Sequence, residues 1–289
     1  MAKALHPTLR LGTRGSPLAL AQAQMVADAL RAQGVETEIV PITTSGDMIQ
    51  DRPLAELGGK ALWTKELDRA LIEGRTDLSV HSMKDVETIR PGMLAIGAML
   101  ERADTRDRLI GAEGLAALPH GARIGTSSPR RAAQLLARRP DLEVAPIRGN
   151  VQTRLAKIER GEFDATLLAA AGLDRLGLDI GTPLDLLPAP AQGAIGVEIL
   201  AERGELRALL AAIDHAPTHE AVDRERAFLA ALGGDCHSAV AALSGDDMFR
   251  AEILLSDGSE VRAGEGDPAE LAQRLLDQAG PALRAMFGR

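Results

Sequence analysis

The pattern of apolar and polar residues predicts strands that are each followed by a helix. Residues 8–13 form an apolar strand, and a turn then leads through Ser16 into a helix that begins with Pro17 and ends at Gly34. Residues 123–141 repeat this plan with Gly-Thr, Ser-Pro and an amphipathic helix. A serine N-cap followed by proline is a typical helix start. Because ligands of open α/β sheets bind at the carboxyl ends of strands, the repeat predicts two similar α/β domains facing one cleft.

A buried strand predicted over residues 77–81 ends in a cluster of polar side chains. Ser82, Lys84 and Asp85 follow this strand directly. His81 lies inside the apolar run, which favours a buried structural histidine with a partner over a catalytic one. Asp85 beside Lys84 is compatible with an ordinary ion pair and also with a functional carboxylate at the end of a strand.

Two stretches depart from the strand-helix pattern. Residues 43–63 have little apolar periodicity and are interrupted by glycine and proline, which predicts a lid or hinge loop able to close over a cleft. After residue 215 the chain contains a helix, a Gly-rich loop, a hairpin with Asp257 and Gly258 at its turn, and a last helix. This order predicts a small C-terminal α+β domain.

Composition and charge narrow the classes of function. The chain has 289 residues, of which 45% are hydrophobic but only 2% aromatic, and its net charge is −8. An acidic surface that has few aromatic rings to stack on bases argues against nucleic-acid binding. No apolar run is long enough to cross a membrane, and a single cysteine cannot form an intrachain disulfide. The sequence therefore predicts a soluble, cytoplasmic protein without a metal site, since no His/Cys/Asp cluster has metal-ligand spacing.

Two arginines stand where a helix disfavours them. Arg130 and Arg131 follow Pro129 in the first helical turn, where the helix dipole makes a cation unfavourable by about 0.3–1 kcal/mol. One interpretation is a pair of solvated surface residues. The other is an anion-binding site, because a bound anion would reverse the sign of this cost.

The single cysteine, Cys236, also has two interpretations. A lone cysteine is commonly a small buried hydrophobic residue. Cys236 follows two glycines and Asp235 and precedes His237, a context that favours an exposed, reactive thiol.

Seven segments, taken together, resemble the porphobilinogen deaminase (hydroxymethylbilane synthase) family in order and spacing across nearly the whole chain. They are GTRGSPLALAQ, GGKALWTKELDRALIEGRTDLSVHSMKDV, IGTSSPRRAAQL, IRGNVQTRL, ATLLAAAGLDRLG, AQGAIGVE and GGDCHSAV. The resemblance implies an α/β fold with two lobes like those of type II periplasmic binding proteins, facing a cleft, plus a small α+β C-terminal domain. The implied boundaries are 1–99 with 194–215 for the first domain, 100–193 for the second and 216–289 for the third.

The resemblance also implies a reaction and a cofactor. Four porphobilinogen molecules are joined head to tail with loss of ammonia, giving the linear tetrapyrrole hydroxymethylbilane. The chain grows on a dipyrromethane primer, which the resemblance places on Cys236 through a thioether. Porphobilinogen would be the only partner of a protein that binds neither nucleic acid nor membrane, and a monomer is expected.

Site residues follow from the same resemblance. Asp85 matches the catalytic aspartate, which would stabilise the cationic azafulvene that remains when ammonia leaves. Every pyrrole ring carries an acetate and a propionate, and the guanidinium of arginine suits such carboxylates. The residues expected to bind the carboxylates of cofactor and substrate are Arg14, Ser16, Ser82, Lys84, Thr126, Ser127, Ser128, Arg130, Arg131, Arg148, Arg154, Arg175 and Gln192. Those expected in the lid loop are Asp47, Lys60 and Trp63.

A few positions depart from the family pattern. Pro129 stands where leucine is common, Glu87 where proline is frequent, and Trp63 where phenylalanine is usual. Ala239 stands near the cysteine where proline is frequent. None of these changes removes a charged or nucleophilic residue that the chemistry requires.

A rival hypothesis is a two-lobed binding protein for a small carboxylate, without catalysis. It would account for arginines in a cleft and for a hinge loop. It accounts neither for a third domain with a Gly-flanked Cys236 nor for Asp85 in the cleft.

Overall fold

The computed structural model describes residues 8–44, 64–234, 238–245 and 248–288. The described residues divide into two compact units. The first unit contains residues 8–44, 64–103 and 193–220, and the second contains the remaining described residues from 104–192 and from 221 onward. The three domain boundaries inferred from the sequence stay a prediction.

The described residues form strands and helices that alternate along most of the chain. The strands are β1 (Leu9–Arg14), β2 (Thr37–Ile42), β3 (Leu78–Ser82), β4 (Leu94–Met99), β5 (Asp107–Ile110), β6 (Arg123–Gly125), β7 (Glu143–Ala145), β8 (Ala165–Ala169), β9 (Thr182–Leu184), β10 (Ile195–Leu200), β11 (Val240–Ser244), β12 (Phe249–Leu254) and β13 (Val261–Glu265). The α-helices are α1 (Pro17–Ala32), α2 (Lys65–Ile72), α3 (Pro129–Arg138), α4 (Val151–Glu159), α5 (Ala170–Arg175), α6 (Gly204–Leu210), α7 (Ala216–Leu232), α8 (Pro268–Gln278) and α9 (Pro281–Ala285).

The first unit is built on a five-stranded sheet of order β2-β1-β3-β10-β4. Strand β1 pairs in parallel with β2 and β3, whereas β10 runs antiparallel to β3 and β4. Apolar side chains of α1, including Val26 and Leu30, pack on Leu11, Leu78 and Val197 of the sheet. Because α1 links two parallel strands, its apolar face is buried against the sheet and its polar face is exposed.

The second unit contains a sheet with the same pattern, of order β7-β6-β8-β5-β9. Strand β6 is parallel to β7 and β8, and β5 is antiparallel to β8 and β9. In both sheets, three parallel strands are therefore followed by one strand in the opposite direction. The edge strand beyond it is antiparallel to that fourth strand. The predicted α/β fold with two sheet-containing lobes is confirmed, while the cleft that the two were expected to face stays a prediction.

The predicted helix starts are also confirmed. Ser16 caps α1, since its Oγ accepts a hydrogen bond from the amide of Ala19 at 3.3 Å. Ser128 caps α3 in the same way and accepts from the amide of Arg131 at 3.4 Å. In both helices proline occupies the first turn, where its missing N–H leaves no helical hydrogen bond unmade.

A smaller antiparallel sheet, β11-β12-β13, belongs to the second unit. Its core contains Phe228 of α7 and Phe249 of β12, whose ring centroids lie 5.4 Å apart, together with Leu271 and Leu275 of α8. The predicted β12–β13 hairpin is confirmed, and Gly258 at its turn has a φ of 74°, which favours glycine. An α/β fold with a small C-terminal sheet and helices is thus observed.

Within the described ranges, no helix combines the length and apolar character needed to cross a membrane. The same residues contain no group of three or more His, Cys, Asp or Glu side chains placed to hold a metal ion.

Candidate active site

A pocket lies in the first unit beside the carboxyl ends of β1 and β3. We call it the first-unit pocket. The two strands are parallel neighbours, so Arg14 at the end of β1 and Ser82 at the end of β3 come to the same edge of the sheet. The residues lining the pocket are Arg14, Ala19, Gln22, Thr64, Val80, His81, Ser82, Asp85 and Val86. Three of the residues predicted from the sequence, Arg14, Ser82 and Asp85, are therefore brought together.

Asp85 ends a short 3-10 turn, Met83–Asp85, that follows β3 directly. Met83 is fully buried and donates its amide to the carbonyl of Ala194 at 3.1 Å, which fixes the turn against the sheet. The Asp85 side chain is half-buried, and no residue of the described ranges forms a hydrogen bond or ion pair with its carboxylate. The ordinary ion pair with Lys84 is thus wrong, and the carboxylate faces the pocket with its oxygen atoms available to a ligand.

Two polar lining residues, Gln22 and Thr64, escaped the sequence analysis, whereas His81 was expected there as a structural histidine. Gln22 is buried, and its amide nitrogen lies 2.9 Å from Oγ of Ser82. A glutamine on the buried face of α1, among alanines and Val26, is the signal that could have identified it. Thr64 precedes α2 and is fully buried.

His81 is a buried residue that is hydrogen-bonded to Glu198, and it also lines the pocket. Its Nε2 lies 3.1 Å from Oε2 of Glu198, a side chain with no exposure on β10. Arg90 binds the same carboxylate through Nε at 2.8 Å and Nη2 at 2.9 Å. Burial would raise the pKa of Glu198, but the hydrogen bonds from His81 and Arg90 outweigh it and hold that pKa at about 2.

In the second unit, Arg130 and Arg131 are buried and share one carboxylate. They are 3% and 6% exposed, which shows that the interpretation as solvated surface residues is wrong. Nη2 of Arg130 lies 2.8 Å from Oδ2 of Asp107, and Nη2 of Arg131 lies 2.7 Å from Oδ1 of the same residue. Burial would raise the pKa of Asp107, but the two guanidinium groups hold it well below its usual range. The anion near the start of α3 is thus supplied by the protein itself, while binding of ligand carboxylates by the two arginines stays a prediction.

Gln192 joins this arginine–aspartate cluster. Its Nε2 donates to Oδ1 of Asp107 at 2.8 Å and to the carbonyl of Thr105 at 2.7 Å, and the residue is 1% exposed. Next to the cluster, the hydroxyl of Ser127 donates to the carbonyl of Ile147 at 2.7 Å, and Oγ1 of Thr126 accepts from the amide of Ser128 at 3.1 Å.

The other predicted cations of the second unit follow the ends of its parallel strands. Arg148 follows β7, and Arg175 is the last residue of α5, the helix that follows β8. Arg154 donates from Nε to the carbonyl of Gly149 at 3.0 Å. Burial lowers the pKa of Arg175 to about 10, against a raising effect of Asp174. Binding of a ligand carboxylate by Arg175 stays a prediction.

Four predicted site residues lie outside the described ranges. They are the cofactor cysteine Cys236 and the lid-loop residues Asp47, Lys60 and Trp63.

Comparison with known families identifies the chain. The sequence model of the family described as "Porphobilinogen deaminase, dipyromethane cofactor binding domain" matches residues 9–208. The chain belongs to the porphobilinogen deaminase family.

Relatives bearing that family name cover almost the whole chain. A porphobilinogen deaminase of Sphingopyxis alaskensis is 59% identical over 304 residues, spanning 96% of this chain and 96% of the relative. One from a Roseiflexus species is 48% identical over 97% of this chain and all of its own length (100%). Among solved structures, a periplasmic substrate-binding protein of an ABC transporter from Coxiella burnetii shares 16% identity and a TM-score of 0.45, over 76% of this chain and 97% of that one.

The porphobilinogen deaminase family confirms the main functional prediction from the sequence. The chain is a tetrapyrrole-synthesising deaminase, and its family carries a dipyrromethane cofactor. These relatives favour the enzyme over the rival hypothesis of a binding protein without catalysis.

Proposed function

We propose that the chain joins four porphobilinogen molecules head to tail with loss of ammonia, that its dipyrromethane is attached through a thioether to Cys236, and that Asp85 is the catalytic carboxylate. The observation that carries the assignment of Asp85 is its position. The carboxylate is half-buried in the first-unit pocket, has no partner among the described residues, and is accompanied there by one cation, Arg14.

The charges of Asp85 and Arg14 suit the two ends of the substrate. Loss of ammonia from the aminomethyl group of porphobilinogen leaves a cation on the substrate, and a carboxylate in a partly water-excluded pocket stabilises a cation more strongly than it would in water. The same carboxylate can accept a hydrogen bond from the pyrrole N–H and take up a proton. Arg14 offers an acetate or propionate of the substrate a charge-assisted hydrogen bond.

The arginines of the second unit are suited to bind the carboxylates of a dipyrromethane. When bound, that group supplies the free α-carbon to which each new pyrrole is joined. A ligand carboxylate would stabilise the charge of Arg175, whose pKa burial lowers to about 10. Arg148 and Arg154 would complete the cation set beyond the ends of the parallel strands. We propose that Arg130 and Arg131 contribute through their Nε–H groups, which are buried without a partner among the described residues, while Asp107 binds Nη2 of each.

The test is the intact mass of the denatured protein beside that of a Cys236→Ala variant. The proposal expects a wild type heavier than its sequence by two deaminated pyrrole units and a variant without this addition. If the wild type is unmodified, porphobilinogen is added and the mass measured again. A mass that still does not change would favour the carboxylate-binding protein.

We further propose that the enzyme works as a monomer in the cytoplasm with porphobilinogen as its only partner. The net charge of −8 supports the absence of a nucleic-acid partner. Analytical ultracentrifugation of the cofactor-loaded protein tests the monomer, and a sedimentation coefficient of a dimer would contradict it.

A further inference from the structure

A single guanidinium in the first unit binds three carboxylates. Arg90 donates to both oxygens of Glu198, to Oδ1 of Asp68 at 2.6 Å, and to Oε2 of Glu87. The Arg90 side chain is 9% exposed, and the three carboxylate side chains are 0–18% exposed. We call this group the Arg90 cluster. Because it is largely removed from water, its hydrogen bonds hold their geometry more firmly than those of surface pairs.

The Arg90 cluster reaches the wall of the first-unit pocket at two places. Glu198 binds Nε2 of His81 at 3.1 Å, and His81 lines the pocket. Oε1 of Glu87 accepts a hydrogen bond from the hydroxyl of Thr64 at 2.7 Å, and Thr64 lines the pocket as well. Two hydrogen-bonded chains therefore begin at one guanidinium and end on two residues that share the pocket with Asp85.

Glu87 is the member of the cluster that ties the catalytic turn to Thr64. It lies two residues after Asp85, and its two oxygens are divided between Arg90 and Thr64.

The charge of the cluster also suits a pocket in which a cation forms. Three carboxylates bind one guanidinium, and one of them, Glu198, also contacts His81. Burial raises the pKa of Asp68, although the positive charge of Arg90 lowers it. Burial would lower the pKa of Arg90, but its carboxylate partners raise that pKa above its usual value. The cluster therefore places two carboxylates in hydrogen-bond contact with Thr64 and His81 of the pocket wall.

We infer that Glu87 is a positioning residue of the deaminase reaction, which acts through Thr64 and is itself held by Arg90. This inference rests on the proposed function, since it takes Asp85 as the catalytic group of the same pocket. Glu87 touches neither substrate nor cofactor. It fixes the hydroxyl of Thr64 and the segment that follows Asp85, so that the carboxylate and the pocket wall keep one relative placement during the chemical step.

The experiment compares Glu87→Gln, Thr64→Val and the double variant, each loaded with cofactor. Glutamine keeps the shape of Glu87 but removes its charge, and valine keeps the shape of Thr64 but removes its hydroxyl. Since small displacements of a catalytic group slow chemistry strongly, we expect kcat to fall about tenfold in Glu87→Gln while KM changes less than about twofold. Because both residues act through one contact, the double variant is expected to be no slower than the slower single variant.

Glu73→Gln is the matched control. Glu73 forms an exposed pair with Arg75 at 2.8 Å in the same unit, so its kcat is expected to stay at the wild-type value. Intact mass reports the fraction of each variant that carries cofactor, and the thermal midpoint reports folding. A purely structural role would lower the thermal midpoint and leave the kcat of the folded, loaded fraction unchanged.

Two results would overturn the inference alone: an active wild type whose kcat survives in Glu87→Gln, or a double variant whose losses multiply. A loaded wild type that releases no ammonia from porphobilinogen would instead overturn the proposed function, and the inference would fall with it. The wild-type measurement therefore separates the two failures.

Discussion

Oδ1 of Asp107 lies 2.7 Å from Nη2 of Arg131, and the carboxylate has no exposed surface. The other oxygen binds Arg130, so one strand residue pairs with two cations that the helix dipole of α3 disfavours. Buried ion pairs of this kind add little beyond their desolvation cost while intact. Removing one partner is costly, because an unpaired charge stays buried.

Asp107→Asn is therefore expected to lower the free energy of unfolding by about 3–5 kcal/mol, since both arginines keep their charge and lose their anion. Urea denaturation of the cofactor-loaded protein measures the change. Asp104→Asn is the matched control, because Asp104 pairs with the exposed Arg106 at 2.7 Å, and it is expected to cost at most about 1 kcal/mol. Equal decreases in the free energy of unfolding of the two variants would show that the buried pairing stabilises the protein no more than the exposed one.

The buried carboxylate of Glu198 predicts a dependence of stability on pH. Its pKa in the folded protein, about 2, lies below the ordinary value of 4.5. A depressed carboxyl pKa adds stability above the unfolded-state pKa, and that stability is lost as the pH falls through the folded-state pKa. The difference between the two pKa values adds about 3 kcal/mol to the free energy of unfolding at neutral pH.

Glu198→Gln should therefore be less stable than the wild type at pH 7, and the gap should narrow between pH 4.5 and 2. Thermal midpoints of both proteins across this range provide the test. The exposed Glu73→Gln should show a small gap at every pH. A gap for Glu198→Gln that stays constant down to pH 2 would contradict the role assigned to His81 and Arg90.

Local sequence signals account for the parts of the fold that were predicted correctly. Ser-Pro at residues 16–17 and 128–129 determines a helix start by itself, because the cap and the proline act within one turn. Asp257 and Gly258 determine the hairpin in the same local way. The placement of Arg14, Ser82 and Asp85 in one pocket followed from the parallel strands that precede them.

The missed features depend on tertiary contacts between distant residues. Asp107 meets Arg131 because β5 enters the second sheet beside β8, a pairing that no local pattern encodes. Glu198 meets Arg90 across 108 residues of chain, and Gln22 meets Ser82 across 60. Sequence analysis therefore assigned Arg130 and Arg131 to a ligand alone, without the internal carboxylate that holds them.

Substitution of Arg175 is expected to have opposite effects on the stability of the protein and on the binding of carboxylates. Burial lowers its pKa to about 10, because removal from water disfavours the charged guanidinium in the folded protein. Arg175→Gln is expected to leave the free energy of unfolding unchanged or to raise it by about 1 kcal/mol. Loss of the cation should raise KM for porphobilinogen about tenfold or reduce the fraction of protein that carries cofactor.

The control for that variant is Arg160→Gln, which removes an exposed cation paired with Glu162 at 2.6 Å. It should change neither KM nor the cofactor fraction measured by intact mass. If Arg175→Gln behaves like Arg160→Gln in both measurements, Arg175 does not bind carboxylates.

Asp85→Asn separates catalysis from binding in the first-unit pocket. Asparagine keeps the size of the side chain and a hydrogen-bond acceptor, so substrate is expected to bind with a KM within about threefold of the wild type. The neutral amide cannot stabilise a developing cation or take up a proton, and kcat should fall by about 10²–10³-fold. Ammonia release in the steady state measures kcat, and Asp28→Asn, which removes an exposed carboxylate paired with Arg31, serves as the control. Near-normal turnover in Asp85→Asn would refute the catalytic assignment. A large rise in KM with kcat preserved would make Asp85 a binding residue, because the lost interaction would then be equally strong in the ground state and the transition state.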